Sequence, residues 1–220
     1  MTMMRAWPAL AGLTLAIAGV ALPGPSAAQA SRPNMTLQMP ATPEPARVTV
    51  DPKTTALIVL DFVESIRGTQ AGCTGQMLPA ATPFLERARK AGMLVAYGTR
   101  ESNMNTWLKP VAPAAGDLRI NSQAQDRFYN TGLDAALKAK GIKTVILIGW
   151  KVSGSVTYTA VGAMVRDYTV VVPMDTTAAA TPYETAIGSY NLLNSGNANL
   201  ANEAMKARSV TLSRTDLIGF

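Results

Sequence analysis

The stretch Lys143-Thr144-Val145-Ile146-Leu147-Ile148-Gly149 carries the clearest strand signal in the sequence. An almost continuous apolar run of this length is typical of a strand that is buried on both faces of a parallel sheet. The residues that follow, Trp150-Lys151-Val152-Ser153-Gly154-Ser155-Val156, form a tight turn and lead into a helix predicted over residues 155–166. A strand, a turn and a helix in this order are the repeating unit of an α/β fold.

A second apolar run, Thr55-Ala56-Leu57-Ile58-Val59-Leu60-Asp61, has the same character. Further strands are predicted at residues 93–99, 118–121, 168–173 and, at an edge, 209–212, and helices at 79–91, 131–140 and within 178–207. This alternation implies crossover connections between parallel strands. We therefore predict a doubly wound, three-layer α/β/α fold with a six-stranded, mainly parallel sheet, in which residues 55–61 and 143–149 are adjacent central strands.

The N-terminal residues have the features of a secretory signal. A basic start at residues 1–5 precedes an apolar run at 9–22, and Ala28-Gln29-Ala30 supplies a small-x-small cleavage pattern. The apolar run is shorter than the about 20 residues that span a bilayer. We predict a signal peptide at 1–30, a Pro-rich N-terminal arm at 31–53, and one domain at 54–220 in a periplasmic or secreted protein. A retained N-terminal anchor is the alternative.

Composition excludes several classes of site. The chain has no histidine, which removes Ser-His-Asp and Cys-His chemistry and most zinc sites. Cys73 is the only cysteine, in what we interpret as a Gly-rich loop, so no intramolecular disulfide is possible. The net charge of +6 is scattered rather than clustered, which does not favour nucleic acid. We expect a small-molecule substrate, no cofactor, no membrane association after signal cleavage, and a homo-oligomer.

Two polar residues lie where the active sites of such sheets are found, beyond the carboxyl ends of the strands. Asp61 ends the first apolar strand, where a partly buried carboxylate suits proton transfer; it could equally cap the next turn. Ser155 lies at the predicted helix N-terminus, where backbone N–H groups and the helix dipole stabilise an anion. A simple N-cap is the other interpretation of Ser155.

Four segments together resemble the isochorismatase-like (cysteine hydrolase) superfamily. Residues 56–61 are similar to its first strand, which ends in the acid/base aspartate. Residues 145–149, followed by Ser155-Val156 and Thr159-Ala160, are similar to its strand–turn–helix signature. The other two segments are Phe128-Tyr129-Asn130-Thr131-Gly132-Leu133 and Tyr168-Thr169-Val170-Val171-Val172-Pro173-Met174-Asp175. The resemblance implies a hydrolase with Asp61 as acid/base and Ser155 at the nucleophile position.

The sequence departs from the family's pattern at important positions. Ser155 replaces the cysteine nucleophile, and the family's lysine falls on Ser122, whereas Arg119 and Arg127 do not align with it. A serine hydroxyl needs a stronger neighbouring base than a thiol. The metal-binding Asp-x-His of some members corresponds to Glu101-Ser102-Asn103, so we expect no metal site.

Lys151 could restore the missing cation, because family members have a non-proline cis peptide at this turn and a side chain that faces the pocket. We therefore predict that its ammonium lies beside Asp61, the alternative being a solvated surface lysine. Glu101, Asn103, Trp107 and Trp150 are the candidate substrate-binding residues, although the tryptophans could serve packing alone.

Two functions remain open from the sequence. The first is an exported hydrolase that acts on a small ether, ester or amide. In it, Asp61 is the acid/base, and Ser155 either attacks or orients a water molecule, as in those members that cleave a vinyl ether without a cysteine. The second is a catalytically silent relative that serves as a periplasmic small-molecule binding module.

Overall fold

The structure, a computed structural model, describes Gln38 and residues 41–220, so the predicted signal peptide at 1–30 lies outside the described residues. The strands are β1 Val48–Thr49, β2 Thr55–Leu60, β3 Leu94–Thr99, β4 Leu118–Asn121, β5 Thr144–Trp150, β6 Thr169–Pro173, β7 Thr177–Ala178, β8 Val210–Ser213 and β9 Ile218–Gly219. The helices are α1 Glu64–Thr69, α2 Ala71–Lys90, α3 Leu133–Ala139, α4 Thr157–Met164 and α5 Pro182–Asn194. None of the described helices is long and apolar enough to cross a membrane.

The two apolar runs lie side by side at the centre of the main sheet, as predicted. The strand order is β4-β3-β2-β5-β6-β8, and every pairing along it is parallel. Thr55 pairs with Thr144 at one end of the central pair, and Leu60 pairs with Gly149 at the other. The short β7 adds a seventh strand by pairing in parallel with the end of β5. The predicted edge strand at 209–212 is confirmed as β8.

Helices cover both faces of this sheet, because successive side chains of the central strands point to opposite faces and most of them are apolar. One core packs Ile58, Leu60 and Leu147 against residues of α3, α4 and α5. The other packs Leu57, Val59 and Ile148 against the buried face of α2. The predicted three-layer α/β/α architecture is confirmed.

The long helix α2 begins earlier than predicted. It starts at Ala71 rather than at residue 79, so Cys73 is a buried helical residue and not part of a Gly-rich loop. Pro79 and Pro83 lie inside this helix on its exposed side. Solvent can there satisfy the carbonyl groups that lose their helical partner, which is why the prolines do not end the helix.

Two other predicted helices differ from the observed ones. The helix predicted from Ser155 begins only at Thr157, because residues Val152–Val156 form a wide π-type turn before α4. Residues 178–207 contain one helix, α5, which starts at Pro182 behind the N-cap Thr181. Beyond α5 the chain is held by side chains instead, since Asn199 and Asn202 both bond to backbone atoms of β8.

The described part of the Pro-rich arm runs along the C-terminal segment of the chain. β1 pairs in parallel with β9, and the Ala46 N–H donates to the Leu212 carbonyl at 2.9 Å. The side-chain amide of Asn202 also donates to the Glu44 carbonyl at 2.9 Å. These hydrogen bonds hold residues 44–50 against the domain.

Candidate active site

The candidate site lies at the point where the strand order reverses. β2 and β5 are neighbours in the sheet, but β2 is followed in the chain by β3 on one side of this pair, and β5 is followed by β6 on the other side. The two connections therefore diverge, which opens a crevice at the carboxyl ends of β2 and β5. A cavity of about 270 Å³ occupies this position. It is lined by Asp61, Ser65, Ile66, Arg100, Asn103, Gln125, Arg127, Trp150, Lys151, Gly154 and Ser155.

Asp61 follows β2 directly and is 8% exposed. Its Oδ1 accepts a hydrogen bond from Thr99 Oγ1 at 2.6 Å, and its Oδ2 accepts from Arg127 Nη2 at 2.6 Å and from Ser155 Oγ at 2.7 Å. The backbone of Asp61 has φ 53°, in the left-handed region that non-glycine residues rarely adopt. Strained backbone of this kind is found preferentially at functional sites, where the surroundings hold it in place.

Ser155 reaches Asp61 from the turn between β5 and α4. The Val156 N–H bonds to the Lys151 carbonyl at 3.2 Å, which closes the wide turn around Ser155. The serine is 8% exposed and lines the same cavity as Asp61. The structure thus brings together the two residues that the sequence singled out for chemistry.

Arg127 is the cation beside Asp61, and the sequence analysis missed it. The side chain is 2% exposed, and its Nη2 donates to both Asp61 and Ser155, the latter at 3.1 Å. Its Nη1 donates to the carbonyls of Ser122 and Ala124 at 2.7 and 2.9 Å. The resemblance placed the family's lysine on Ser122, and the structure shows that Arg127, from further along the same loop, brings a positive charge to Asp61.

A glycine in β3 makes room for this arginine. A Cβ atom on Gly98 would lie 2.8 Å from Arg127 Cγ and 3.1 Å from its Cδ, closer than such atoms pack. Gly98 is a sequence signal that could have indicated a side chain crossing over β3, since a glycine inside a buried strand often marks such a close approach.

Gly149 allows the central strands to end side by side. It has φ 121°, and a Cβ atom there would lie 1.9 Å from the Leu60 carbonyl oxygen. No other residue fits between the backbone of β2 and the turn that carries Ser155.

Lys151 lines the cavity but forms its ion pair with Glu184 of α5. The prediction that its ammonium lies beside Asp61 is therefore wrong, because Arg127 already pairs with that carboxylate. The hydrogen bond from Lys151 lowers the pKa of Glu184 below its ordinary value. The Trp150–Lys151 peptide is cis, as the resemblance implied.

Of the four candidate substrate-binding residues, two line the cavity and two do not. Asn103 and Trp150 line the cavity. Glu101 is exposed and is not among the lining residues. Trp107 is also absent from the lining, because it packs edge-on against Tyr97 at 5.0 Å and donates its Nε1–H to the Met104 carbonyl.

Cys73 is not among the residues that line the cavity. The Cys73 thiol contacts the Ala179 carbonyl at 3.3 Å, and burial, followed by the charge of Glu184, raises the pKa of that thiol. Among residues 41–220, no group of three or more cysteine, aspartate and glutamate side chains is placed to hold a metal ion.

Comparison with known proteins identifies relatives of the chain. Residues 55–203 match the model of the isochorismatase domain family. Ureidoacrylate amidohydrolase RutB of Caulobacter vibrioides is 26% identical over 194 residues, which cover 66% of this chain and 81% of the relative. Maleamate amidohydrolase of Pseudomonas putida is 37% identical over 62 residues, which cover 28% of this chain and 29% of the relative.

Two solved structures show the same fold. N-carbamoylsarcosine amidase from Thermoplasma acidophilum superposes with a TM-score of 0.60 at 25% identity, covering 74% of this chain and 97% of that structure. A cysteine hydrolase from Pseudomonas syringae pv. phaseolicola superposes with a TM-score of 0.64 at 18% identity, covering 83% of this chain and 95% of that structure.

Proposed function

Since the chain belongs to the isochorismatase family, we propose that it is an exported hydrolase that cleaves a carbon–nitrogen or related bond of a small polar molecule. An amide is the favoured substrate among the small ethers, esters and amides that the site could accept, because the two relatives described above are named amidohydrolases. In this proposal Asp61 is the acid/base and Ser155 is the nucleophile.

The observation that carries the proposal is the contact between Ser155 Oγ and Asp61 Oδ2 at 2.7 Å. A nucleophile and a base within hydrogen-bond reach, with the base oriented by a third group, is the arrangement of covalent catalysis. Thr99 and Arg127 are the orienting groups, because they hold the two carboxylate oxygens of Asp61 at 2.6 Å each.

The chemical steps follow from these contacts. As Ser155 Oγ attacks the substrate's carbonyl carbon, its proton passes to Asp61 Oδ2. Negative charge then develops on the substrate's former carbonyl oxygen, while Arg127, which donates to both Ser155 Oγ and Asp61 Oδ2, holds the nucleophile and the base in position. When the carbon–nitrogen bond breaks, Asp61 returns the proton to the leaving nitrogen, and water then hydrolyses the ester on Ser155.

The alternative, a small-molecule binding module without activity, is supported by the presence of a serine rather than a cysteine at position 155. A serine hydroxyl is far less acidic than a cysteine thiol, so the replacement removes the family's usual nucleophile. A silent relative would keep the cavity and its hydrogen bonds but would turn over no substrate.

A panel of small amides, ureides, esters and vinyl ethers tests the proposal. The purified chain without residues 1–30 should release product from at least one member of the panel, measured as acid or ammonia formed. Turnover should fall on the order of a hundredfold in Asp61→Asn. No turnover across the panel, together with ligand-induced thermal stabilisation, would establish the binding module instead.

Export is a separate part of the proposal and rests on residues 1–30 alone. Mass spectrometry of the protein recovered from the periplasm or medium should find Ser31 as the first residue. Recovery of the chain only from the cytoplasm, with its N-terminus intact, would contradict export.

A further inference from the structure

The loop that carries Arg127 belongs to no helix or strand. It comprises residues 122–132, between β4 and α3. Because such a loop has no regular pattern of backbone hydrogen bonds, its backbone polar groups need side-chain partners, and those partners determine where the arginine side chain begins. At Arg127 itself the partners are two threonines, Thr159 and Thr131. Both lie in segments that resemble the family, and the proposed chemistry gives neither of them a role.

Thr159 holds the N–H group of Arg127. This N–H donates to Thr159 Oγ1 at 3.2 Å, and the same hydroxyl donates to the Gln125 carbonyl at 3.2 Å. Thr159 is fully buried in α4 and follows Ser155 by four positions, about one helical turn. The chain therefore presents the serine in the turn before α4 and fixes the backbone of the arginine one turn later.

Thr131 holds the carbonyl group of the same arginine. Its hydroxyl donates to the Arg127 carbonyl at 2.6 Å and accepts from the Leu133 N–H at 3.3 Å, at the start of α3. A threonine hydroxyl has one donor and two acceptor sites, so each threonine can make both of its hydrogen bonds at once. The backbone of Arg127 is thus tied at its N–H to α4 and at its carbonyl to α3.

A glycine of α4 lets the loop approach this helix closely. A Cβ atom on Gly162 would lie 2.3 Å from Asp126 Oδ1, the oxygen that accepts from the Phe128 N–H at 2.8 Å. Gly162 follows Thr159 by three positions, so both lie on the same face of α4. This face of the helix therefore sets the distance between the arginine loop and the turn that carries Ser155.

The position of the Arg127 guanidinium depends on that of the loop. Its Nη1 donates to the Ser122 and Ala124 carbonyls, which belong to the loop itself. Its Nε has no hydrogen-bond partner within residues 41–220, and its Nη2 bonds outside the loop, to Asp61 and Ser155. A shift of the loop would carry the guanidinium away from both, and a misplacement of about 1 Å in a catalytic site can cost about a hundredfold in rate.

We propose that Thr159 and Thr131 are positioning residues of the reaction. By fixing the backbone of Arg127 to α4 and α3, they hold its guanidinium on Asp61 and Ser155. Neither threonine lines the cavity, so both act through the arginine. This inference rests on the proposed function, since it concerns how the residues that perform it are held in place.

The thiol of Ser155→Cys reports the position of the guanidinium without any substrate. A nearby cation favours the thiolate, which is the form that iodoacetamide alkylates. In this background, Thr159→Val should shift the pH profile of alkylation to higher pH and lower the rate at pH 7 roughly three- to tenfold, because the guanidinium moves away from the thiol. The other charged residues of the cavity, Asp61, Arg100 and Lys151, are the same in both proteins.

Further variants in the Ser155→Cys background assign the effect to the two hydroxyls. Thr159→Ser keeps the hydroxyl and should keep the original profile. Thr131→Val removes the bond to the carbonyl at a less buried position, so it should fold and shift the profile in the same direction even where Thr159→Val does not fold. Thr74→Val is the matched control, because it removes a buried threonine hydroxyl from α2, outside the cavity, and should leave the profile unchanged.

Two measurements make these comparisons decisive. Circular dichroism establishes folding, and mass spectrometry of the peptide that contains position 155 separates its alkylation from that of Cys73. An unchanged profile in folded Thr159→Val or folded Thr131→Val overturns the proposal. An equal shift in Thr74→Val would show a general effect of losing a buried hydroxyl and would overturn it as well.

The positioning role and the proposed function fail separately. A shifted profile in a chain that hydrolyses nothing would keep the two threonines as the residues that place Arg127 and would remove the hydrolase. If the parent chain hydrolyses a substrate, Thr159→Val should lower kcat about tenfold and leave KM nearly unchanged, because Arg127 holds the nucleophile and the base rather than the substrate. An unchanged kcat in that variant would keep the hydrolase and remove the positioning role.

Discussion

Ser155 Oγ lies 2.7 Å from Asp61 Oδ2, although the two residues are 94 positions apart in the chain. The two strands that precede them, β2 and β5, are parallel neighbours in register, so their carboxyl ends deliver both side chains to one place. The contact is buried, and Arg127 donates to both oxygen atoms.

Asp61→Asn should lower turnover on the order of a hundredfold, because the amide cannot accept the proton of Ser155. It should also destabilise the fold by about 3 kcal/mol, since it leaves the buried Arg127 guanidinium without its counter-charge. Urea unfolding and steady-state kinetics measure the two effects. The double variant Asp61→Asn with Arg127→Met removes both charges and should regain stability but not activity. Recovery of activity in the double variant would contradict a role for Asp61 in proton transfer.

Ser155→Ala should lower turnover at least about a hundredfold if Ser155 is the nucleophile. Ser155→Cys places a thiol at the proposed nucleophile position, so it should be more active than Ser155→Ala and should be inactivated by iodoacetamide. The parent chain is the control: Cys73 is buried and its thiol pKa is raised, so less reactive thiolate is present and iodoacetamide should spare activity. Parental turnover in Ser155→Ala would instead assign the attack to water.

Arg127→Lys should lose about a hundredfold in kcat, because one ammonium cannot reproduce the bonds of the guanidinium to Asp61, Ser155, Ser122 and Ala124. Gly98→Ala should give a loss in the same direction, since its Cβ would displace the arginine stem from its path over β3. Kinetics of both variants, with circular dichroism to establish folding, check this. Full activity in folded Gly98→Ala would show that Arg127 does not need this path.

Gly149→Ala should destabilise the protein by about 3 kcal/mol or more, because the new Cβ would overlap the Leu60 carbonyl and φ is 121°. Gly75→Ala is the matched control: Gly75 is exposed in helix α2, and a Cβ there meets nothing within 4 Å. That variant should be stabilised by about 0.5–1 kcal/mol, because alanine favours the helix. Chemical denaturation compares the two, and equal stabilities would contradict the packing at Gly149.

Tyr97 should make the fold less stable at alkaline pH. Burial raises the pKa of its hydroxyl to about 12, whereas an unfolded tyrosine titrates near 10. The native state therefore favours the neutral phenol, and this contribution is fully present below about pH 10 and is lost as the pH rises toward about 12. Urea unfolding between these values should show a steeper loss of stability in the parent than in Tyr97→Phe. Parallel slopes would contradict the prediction.

The central sheet and the position of two site residues follow from the order of the amino acids alone. The runs at 55–60 and 144–149 carry apolar side chains on both faces of the strand, so both faces must be buried away from water. This predicts that they are the central strands of a parallel sheet. Since parallel strands end at one edge, Asp61 and Ser155 had to meet there. The limits of α2 were less predictable, because Pro79 and Pro83 are tolerated where solvent reaches the helix.

The pairing of each cation with its carboxylate could not be predicted from the order of the amino acids, because it depends on the folded backbone. Arg127 reaches Asp61 across 66 positions of sequence through the space above Gly98, and Lys151 pairs with Glu184, 33 positions away. Arginine and lysine side chains are long and flexible, so their partners depend on which charges the folded backbone brings within reach. The resemblance placed the family's lysine on Ser122 and led to the prediction that Lys151 replaces its charge, whereas the folded chain brings Arg127 to Asp61.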